Sequence, residues 1–278
     1  MGRPAAPAAR RGSARTRRAR SRSRTTDGRG PSMRIRIIGA GTIGATLGRR
    51  LAAAGHEVAI ANSRGPQTVD LEALSTGARA VDVAAAPEGA EVLIVSVPFG
   101  RLPDVVPVVR TAPDSAVLID TSNYFPHRDG VIAGLDGEVP ESVRVSEILD
   151  RRVVKAWNAI TSQSFRDRAT GAGDPQRLAI PVAADDATEG AIGRRLVEET
   201  GFTGLDAGPL RESWRQQPGS PAYCTDLDPA ELSRALAAAD ADSAPRRRDL
   251  MIAVLDERRA SGDAVDGEYL VRLGRALF

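Results

Sequence analysis

From residue 34 onward, hydrophobic positions fall in short β-branched runs that alternate with helical stretches. Arg34-Ile-Arg-Ile-Ile38 predicts a strand, residues 45–54 an apolar helix closed by Gly55, and Glu57-Val-Ala-Ile-Ala61 a second strand. The pattern repeats, with a helix over 66–75, a short strand Arg79-Ala-Val81 and a buried-type strand over 91–95. Residues 101–110 lead to a fifth strand over 116–119. A helix over 141–149 then precedes a sixth strand, Val153-Val-Lys-Ala-Trp157. Such alternation predicts an α/β fold with a doubly wound, mostly parallel sheet. Strands over 177–182 and 202–205 enclose a helix that Asp185 or Asp186 caps and Gly201 stops, which predicts a smaller C-terminal α/β unit. Asp228-Pro229 opens another helix by the cap-then-proline rule. The amphipathic stretches 250–259 and 268–278 read as cap or dimer helices, so a homodimer is expected.

The first strand runs straight into Gly39-Ala-Gly41-Thr-Ile-Gly44. A GxGxxG between a strand and a helix, with a second strand about 20 residues on, is the dinucleotide-binding arrangement of a Rossmann fold. Gly39 permits the tight turn, Gly41 lets backbone approach a pyrophosphate, and Gly44 lets the helix pack close on the strand. The amides of Thr42 and Ile43 open the helix, where the dipole favours phosphate. At the end of the second strand an NAD-binding fold usually carries an acid for the ribose 2′-hydroxyl. Here stand Asn62-Ser63-Arg64. Without a carboxylate there is no repulsion of a 2′-phosphate; Ser63 can donate to it and Arg64 can pair with it. The expected cofactor is therefore NADP(H); the plain alternative is that Arg64 stacks on adenine or is merely solvated. The turn Ser96-Val97-Pro98 lies at the carboxyl edge of the fourth strand, where open α/β sheets bind ligands, and should line the nicotinamide ribose.

Charge changes the picture of the partners. The formal charge of the 278 residues is +2, but residues 1–32 hold ten arginines and one acid, leaving 28 basic and 35 acidic residues from Met33 on. The folded body is acidic, which disfavours nucleic acid as its partner. The tail has almost nothing apolar to bury and reads as a disordered basic extension. No apolar run follows its arginines, so a twin-arginine export signal fails; Met33 opens the first strand, and translation is expected to begin there. No apolar run reaches the length of a membrane span. The single Cys224 excludes an intrachain disulfide framework, which fits a reducing, cytoplasmic setting; with two histidines, no metal site is expected. The chain divides into the tail 1–32, a dinucleotide-binding domain 33–152 and a substrate or dimerisation domain 153–278.

Several segments together resemble the NADPH-dependent coenzyme F420 reductase family. These are Met33-Arg-Ile-Arg-Ile-Ile-Gly-Ala-Gly41, Asn62-Ser-Arg64, Ser96-Val-Pro-Phe99, Val153-Val-Lys-Ala-Trp-Asn158, Pro181-Val-Ala-Ala-Asp-Asp186 and Asp206-Ala-Gly-Pro-Leu210. The resemblance spans about 33–212. It implies a Rossmann domain followed by a small C-terminal domain, and hydride passing between NADP(H) and a deazaflavin (F420) or flavin-like partner. It further implies that Ser96–Phe99, Asn123 and Asn158–Ile160 border the hydride site, and it agrees with the 2′-phosphate role of Ser63 and Arg64. Residues 211–278 run longer than in the deazaflavin enzymes, which leaves the hydride partner open. A small carbonyl or imine substrate would also need a proton donor. Lys155, the only lysine, and His127, beyond the fifth strand, are the candidates; the plain readings are a solvated or ion-paired lysine and a loop histidine bonded to backbone. His56 reads as structural, Asp185-Asp186 as a helix start and Cys224 as a spectator. Tyr124, Trp214 and Tyr223 could stack on a flat ring or belong to the core. A non-catalytic NADPH-sensing module is the third reading.

Overall fold

The computed structural model describes residues 1–2, 30–135 and 139–278, so most of the basic tail lies outside the described residues. Strand β1 (Arg34–Ile38) is followed by helix α1 (Thr42–Ala53) and β2 (Glu57–Ala61). The expected helix over 66–75 is instead a 3-10 turn, Pro66–Thr68, and one short helix, α2 (Leu71–Leu74). The break comes from Asp70, whose carboxylate accepts from the Glu72 amide and starts a new helix instead of continuing the turn. Strands β3 (Arg79–Val81), β4 (Val92–Val95) and β5 (Val117–Asp120) follow, with α3 (Leu102–Val109) between the last two. Beyond β5 lie the single-turn α4 (Pro126–Asp129), α5 (Glu141–Leu149) and β6 (Val154–Lys155).

These six strands form one parallel sheet in the order β3-β2-β1-β4-β5-β6. The order reverses between β1 and β4, which opens a crevice at the carboxyl ends of the strands. Strand residues alternate between two apolar clusters, as strands covered on both faces require. Ile35, Ile37, Val92 and Ile94 join one cluster with Leu47 and Leu51 of α1; Ile38, Leu93 and Val95 join the other with Leu102 and Val109 of α3.

Strand β6 is shorter than the pattern over 153–157 predicts. Trp157 takes φ 56, which turns the chain out of the sheet. Helix α6 (Ser162–Asp167) follows, begun by the Thr161 side chain accepting from the Ser164 amide. The smaller unit is β7 (Ala179–Val182), α7 (Ala187–Glu199) and β8 (Thr203–Asp206), a two-stranded parallel sheet. Asp186, not Asp185, caps α7, accepting from the amides of Thr188 and Glu189. An antiparallel bridge between Lys155 and Ala183 joins the two sheets, and Val182, Leu196 and Phe202 share the cluster of β1 and α1. A 3-10 segment, Leu210–Gln216, leads to α8 (Pro229–Ala237), α9 (Ala244–Ala260) and α10 (Gly267–Ala276). Helix α8 opens with a capping box between Asp228 and Glu231. Ser32–Phe278 is one compact unit. No helix among the described residues is long and apolar enough to cross a membrane.

Candidate active site

The glycine loop is shaped by what its residues lack. Gly39 sits at φ +109, and a Cβ there would stand 2.1 Å from the Ser96 carbonyl oxygen. At Gly44 a Cβ would stand 2.0 Å from the Gly39 carbonyl oxygen, because α1 begins hard against β1. Gly41 differs: nothing lies within 4 Å of the position its Cβ would take. It caps α1 without any side-chain acceptor, so the first amides of the helix face the crevice. An open notch flanked by two crowded glycines fits a pyrophosphate bound to backbone. At the end of β2 the Asn62 side chain donates to Thr68 Oγ1 at 2.8 Å, and Gly65 at φ 97 turns the chain back. Ser63 and Arg64 are exposed at this corner, and the Arg64 guanidinium makes no ion pair among the described residues.

A cavity of about 540 Å³ runs from Gly41–Ile43 along the sheet edge. Its sheet side is Ser96–Pro98 and Thr121–Asn123; the Thr121 hydroxyl donates to Ser96 Oγ at 3.1 Å and ties the ends of β4 and β5 together. A ring of amides closes the middle. Asn123 Nδ2 donates to the Asn158 carbonyl at 2.9 Å, Asn158 Nδ2 to Asn123 Oδ1 at 3.1 Å and to the Gln216 carbonyl at 2.9 Å. Gln216 Nε2 donates back to Asn158 Oδ1 at 2.9 Å. The far wall holds Trp157, Ile160, Tyr223 and Cys224 with Arg248, Met251 and Leu255 of α9.

His127 lines this cavity, exposed and edge-on to Phe125 with centroids 5.7 Å apart. Lys155 does not. It is fully buried, its Nζ donates to Asp120 Oδ2 at 2.6 Å and to the Ser122 carbonyl, and Asp120 Oδ1 accepts from the Ser122 amide at 3.1 Å. Asp120 and Lys155 are register partners of β5 and β6, so the pair pins the strand ends just behind the cavity floor. His56 lies away from the site. Its Nδ1 accepts from the Met33 amide, so Nε2 carries the proton shared with Glu199 Oε2 at 2.7 Å. Of the aromatic candidates, Tyr223 lines the cavity, Tyr124 is fully buried against Phe99, and Trp214 stacks under Arg215 in a separate pocket.

Burial governs the titratable groups here. Desolvation raises the Tyr223 phenol well above its ordinary value and pushes the Cys224 thiol up to about 12, so both stay protonated. Glu141 on α5 is raised to about 7, first by burial; the charges of Lys155 and Arg248 and a hydrogen bond from the Tyr124 amide oppose that rise. Glu141, Gln216 and Arg248 carry no local sequence signal and were not among the expected site residues. Among the described residues no group of three metal-ligating side chains occurs.

A family model described as NADP oxidoreductase, coenzyme F420-dependent, matches residues 34–124. The Escherichia coli (strain K12) protein YjhV is 43% identical over 63 residues, which is 23% of this chain and 46% of that protein. The chain thus matches just under half the length of that curated relative. Among solved structures, the hypothetical protein SMa0349 from Sinorhizobium meliloti is similar with a TM-score of 0.61 and 27% identity, over 71% of this chain and 95% of that one. An Arthrobacter sp. FB24 protein named as a candidate F420-dependent NADP reductase is similar with a TM-score of 0.55 and 18% identity, over 84% and 96% of the two chains. That second likeness is one of fold. Residues 34–124, from β1 to just past β5, are thus similar in sequence to the model of the coenzyme F420-dependent NADP oxidoreductases, and the chain has a mostly parallel, Rossmann-like α/β fold.

Proposed function

We propose that the chain is an NADP(H)-dependent oxidoreductase whose hydride partner is a deazaflavin or flavin-like ring. The observation that carries this reading is the open notch at Gly41 between the crowded Gly39 and Gly44, set beside a β2 end that bears Ser63 and Arg64 and no acid. When bound, NADP(H) supplies or accepts the hydride at its nicotinamide ring. The amides of Thr42 and Ile43 would hold its pyrophosphate, and Ser63 and Arg64 its 2′-phosphate, with Asn62 fixing the corner. Ser96, Val97, Pro98 and Asn123 would border the nicotinamide end. Trp157, Ile160 and Phe125 keep that end of the cavity apolar, which suits hydride transfer between stacked rings, where position and exclusion of water matter more than an acid. Lys155 holds the Asp120 carboxylate and the Ser122 backbone carbonyl in place beneath the cavity, so its part is positioning.

The test is to mix the full chain with NADPH and either a deazaflavin or FMN and to follow the near-ultraviolet absorbance of NADPH. Oxidation of NADPH with either ring is expected. Tight NADPH binding with no oxidation by either ring overturns the assignment of the partner. The protonated Tyr223 hydroxyl and His127 on the cavity wall favour one second reading, reduction of a small carbonyl or imine. Under that reading, turnover with carbonyls collapses in Tyr223→Phe.

A further inference from the structure

In the middle of the cavity three side-chain amides close their hydrogen bonds on one another. Asn123 stands just past β5, Asn158 beyond β6, and Gln216 ends the 3-10 segment far along the chain. Asn123 and Asn158 line the cavity, and Gln216 lies fully buried behind them. A primary amide has two N–H donors and a carbonyl oxygen with two lone pairs. Two backbone carbonyls, which can only accept, decide which way these amides point. The Gln216 carbonyl takes an N–H from Asn158 at 2.9 Å, and the Asn158 carbonyl takes one from Asn123 at 2.9 Å. Asn158 Nδ2 also donates to Asn123 Oδ1 at 3.1 Å, and Asn158 Oδ1 accepts from Gln216 Nε2 at 2.9 Å.

Asn158, 2% exposed, thus has both its donors and its carbonyl engaged within the protein. Asn123 does not. It is half-buried on the cavity lining, and one N–H and one lone pair of its side chain meet no partner among the described residues. A donor and an acceptor side by side, held in one orientation, complement another carboxamide. Gln216 does not serve packing alone. Its Oε1 is buried with no hydrogen-bond partner among the described residues, which is unfavourable, and an apolar side chain of similar volume would fill the space without that penalty. Its distinctive contribution is direction: its backbone carbonyl and its Nε2 hold both ends of the Asn158 amide, and Asn158 holds Asn123.

We propose that Asn123 pairs with the carboxamide of the nicotinamide ring, and that Gln216 is a positioning residue that fixes Asn158 and, through it, the donor and acceptor of Asn123. This rests on the reading that NADP(H) occupies the cavity, and the experiment separates the two. Calorimetry on the full chain uses NADP⁺, its 3-acetylpyridine analogue, in which a methyl group replaces the amide nitrogen, and 2′,5′-ADP, which keeps the 2′-phosphate and lacks the nicotinamide. In the parent, NADP⁺ is expected to bind about three- to tenfold tighter than the analogue, the effect of one hydrogen bond. In Gln216→Met and in Asn123→Ala that preference should shrink toward one, while the affinity for 2′,5′-ADP stays within about twofold of the parent. A merely structural loss would weaken all three ligands alike and leave the preference standing. No preference in the parent, or one unchanged in Asn123→Ala, overturns the carboxamide pairing. A preference lost in Asn123→Ala and kept in Gln216→Met overturns the positioning role. If Gln216→Met does not fold, Gln216→Asn, polar but one methylene too short to reach Asn158, decides: a preference kept there overturns the role equally. Binding of 2′,5′-ADP without a preference for the carboxamide removes the pairing and leaves the cofactor reading; binding of none of the three removes both.

Discussion

The two walls of the cavity are built on opposite principles. The sheet wall is shaped by the absence of side chains: Gly39 and Gly44 are glycine because a Cβ would strike backbone at about 2 Å, and Gly41 is open because nothing stands there. The helical wall is shaped by their presence, with Trp157, Tyr223, Arg248 and Met251 brought together from distant parts of the chain. Backbone amides suit an invariant group such as a pyrophosphate, whereas side chains on helices can be exchanged without disturbing the strands beneath. The residues that match a known family, 34–124, hold the sheet wall, and most of the helical wall lies beyond them.

The sharpest way to break this contrast is at the glycines. Gly39→Ala combines a φ of +109 with a backbone collision, and should cost on the order of 4 kcal/mol or more, a fall in Tm of roughly 10 °C. Gly41→Ala meets nothing in the free protein. Its melting temperature should stay within about 2 °C of the parent while NADPH affinity drops about tenfold or more in calorimetry. A Gly41→Ala variant that binds NADPH normally would show that the notch is not a ligand contact.

Beneath the cavity, Lys155→Met leaves the Asp120 carboxylate buried without its cation. Removing one partner of a buried pair costs about 3–5 kcal/mol, readable as a shift of the urea midpoint. The double variant Lys155→Met with Asp120→Leu should recover most of that loss. If the single variant is as stable as the parent, the pair does not hold the strand ends together.

Glu141 gives the next effect, and it depends on pH. Its carboxyl is raised from the ordinary 4.5 to about 7, so between those values the folded chain holds a proton that the unfolded chain has released. The favourable contribution is complete below the unfolded pKa and is lost as pH rises through 4.5 to 7, a change of about 3 kcal/mol. Glu141→Gln keeps an acceptor for the Tyr124 amide and should flatten this slope in urea titrations from pH 4.5 to 8. An unchanged slope in that variant would mean that another group titrates.

Much of the sheet wall was legible because its determinants are local. The GxGxxG loop, the strands around it and the acid-free Asn62-Ser63-Arg64 corner are each written within a few residues. The cap at Asp228 was legible for the same reason, and that of α7 to within one residue, Asp185 or Asp186. The Asp70 cap that splits residues 66–75 is a single-residue signal inside an otherwise helical pattern. Strand β6 ends early because Trp157 adopts a left-handed conformation that tertiary packing imposes and side-chain type disfavours. The burial of Lys155 has a sequence signal that depends on strand order: Asp120 and Lys155 are opposite charges at the carboxyl ends of apolar strands that are neighbours in the sheet. The helical wall offered no such signal. Asn158 meets Gln216 across 58 positions, and Arg248 is one arginine in a helix crowded with them.

The central claim is that the Ser63-Arg64 corner receives a 2′-phosphate, and calorimetric titration of the parent and Arg64→Ala with NADPH and NADH tests it most directly. Loss of a charge-assisted contact worth about 1.5–3 kcal/mol should weaken NADPH by roughly 10- to 150-fold in the variant and leave NADH nearly unchanged. Equal losses for both cofactors, or a parent chain that binds neither, would contradict the account.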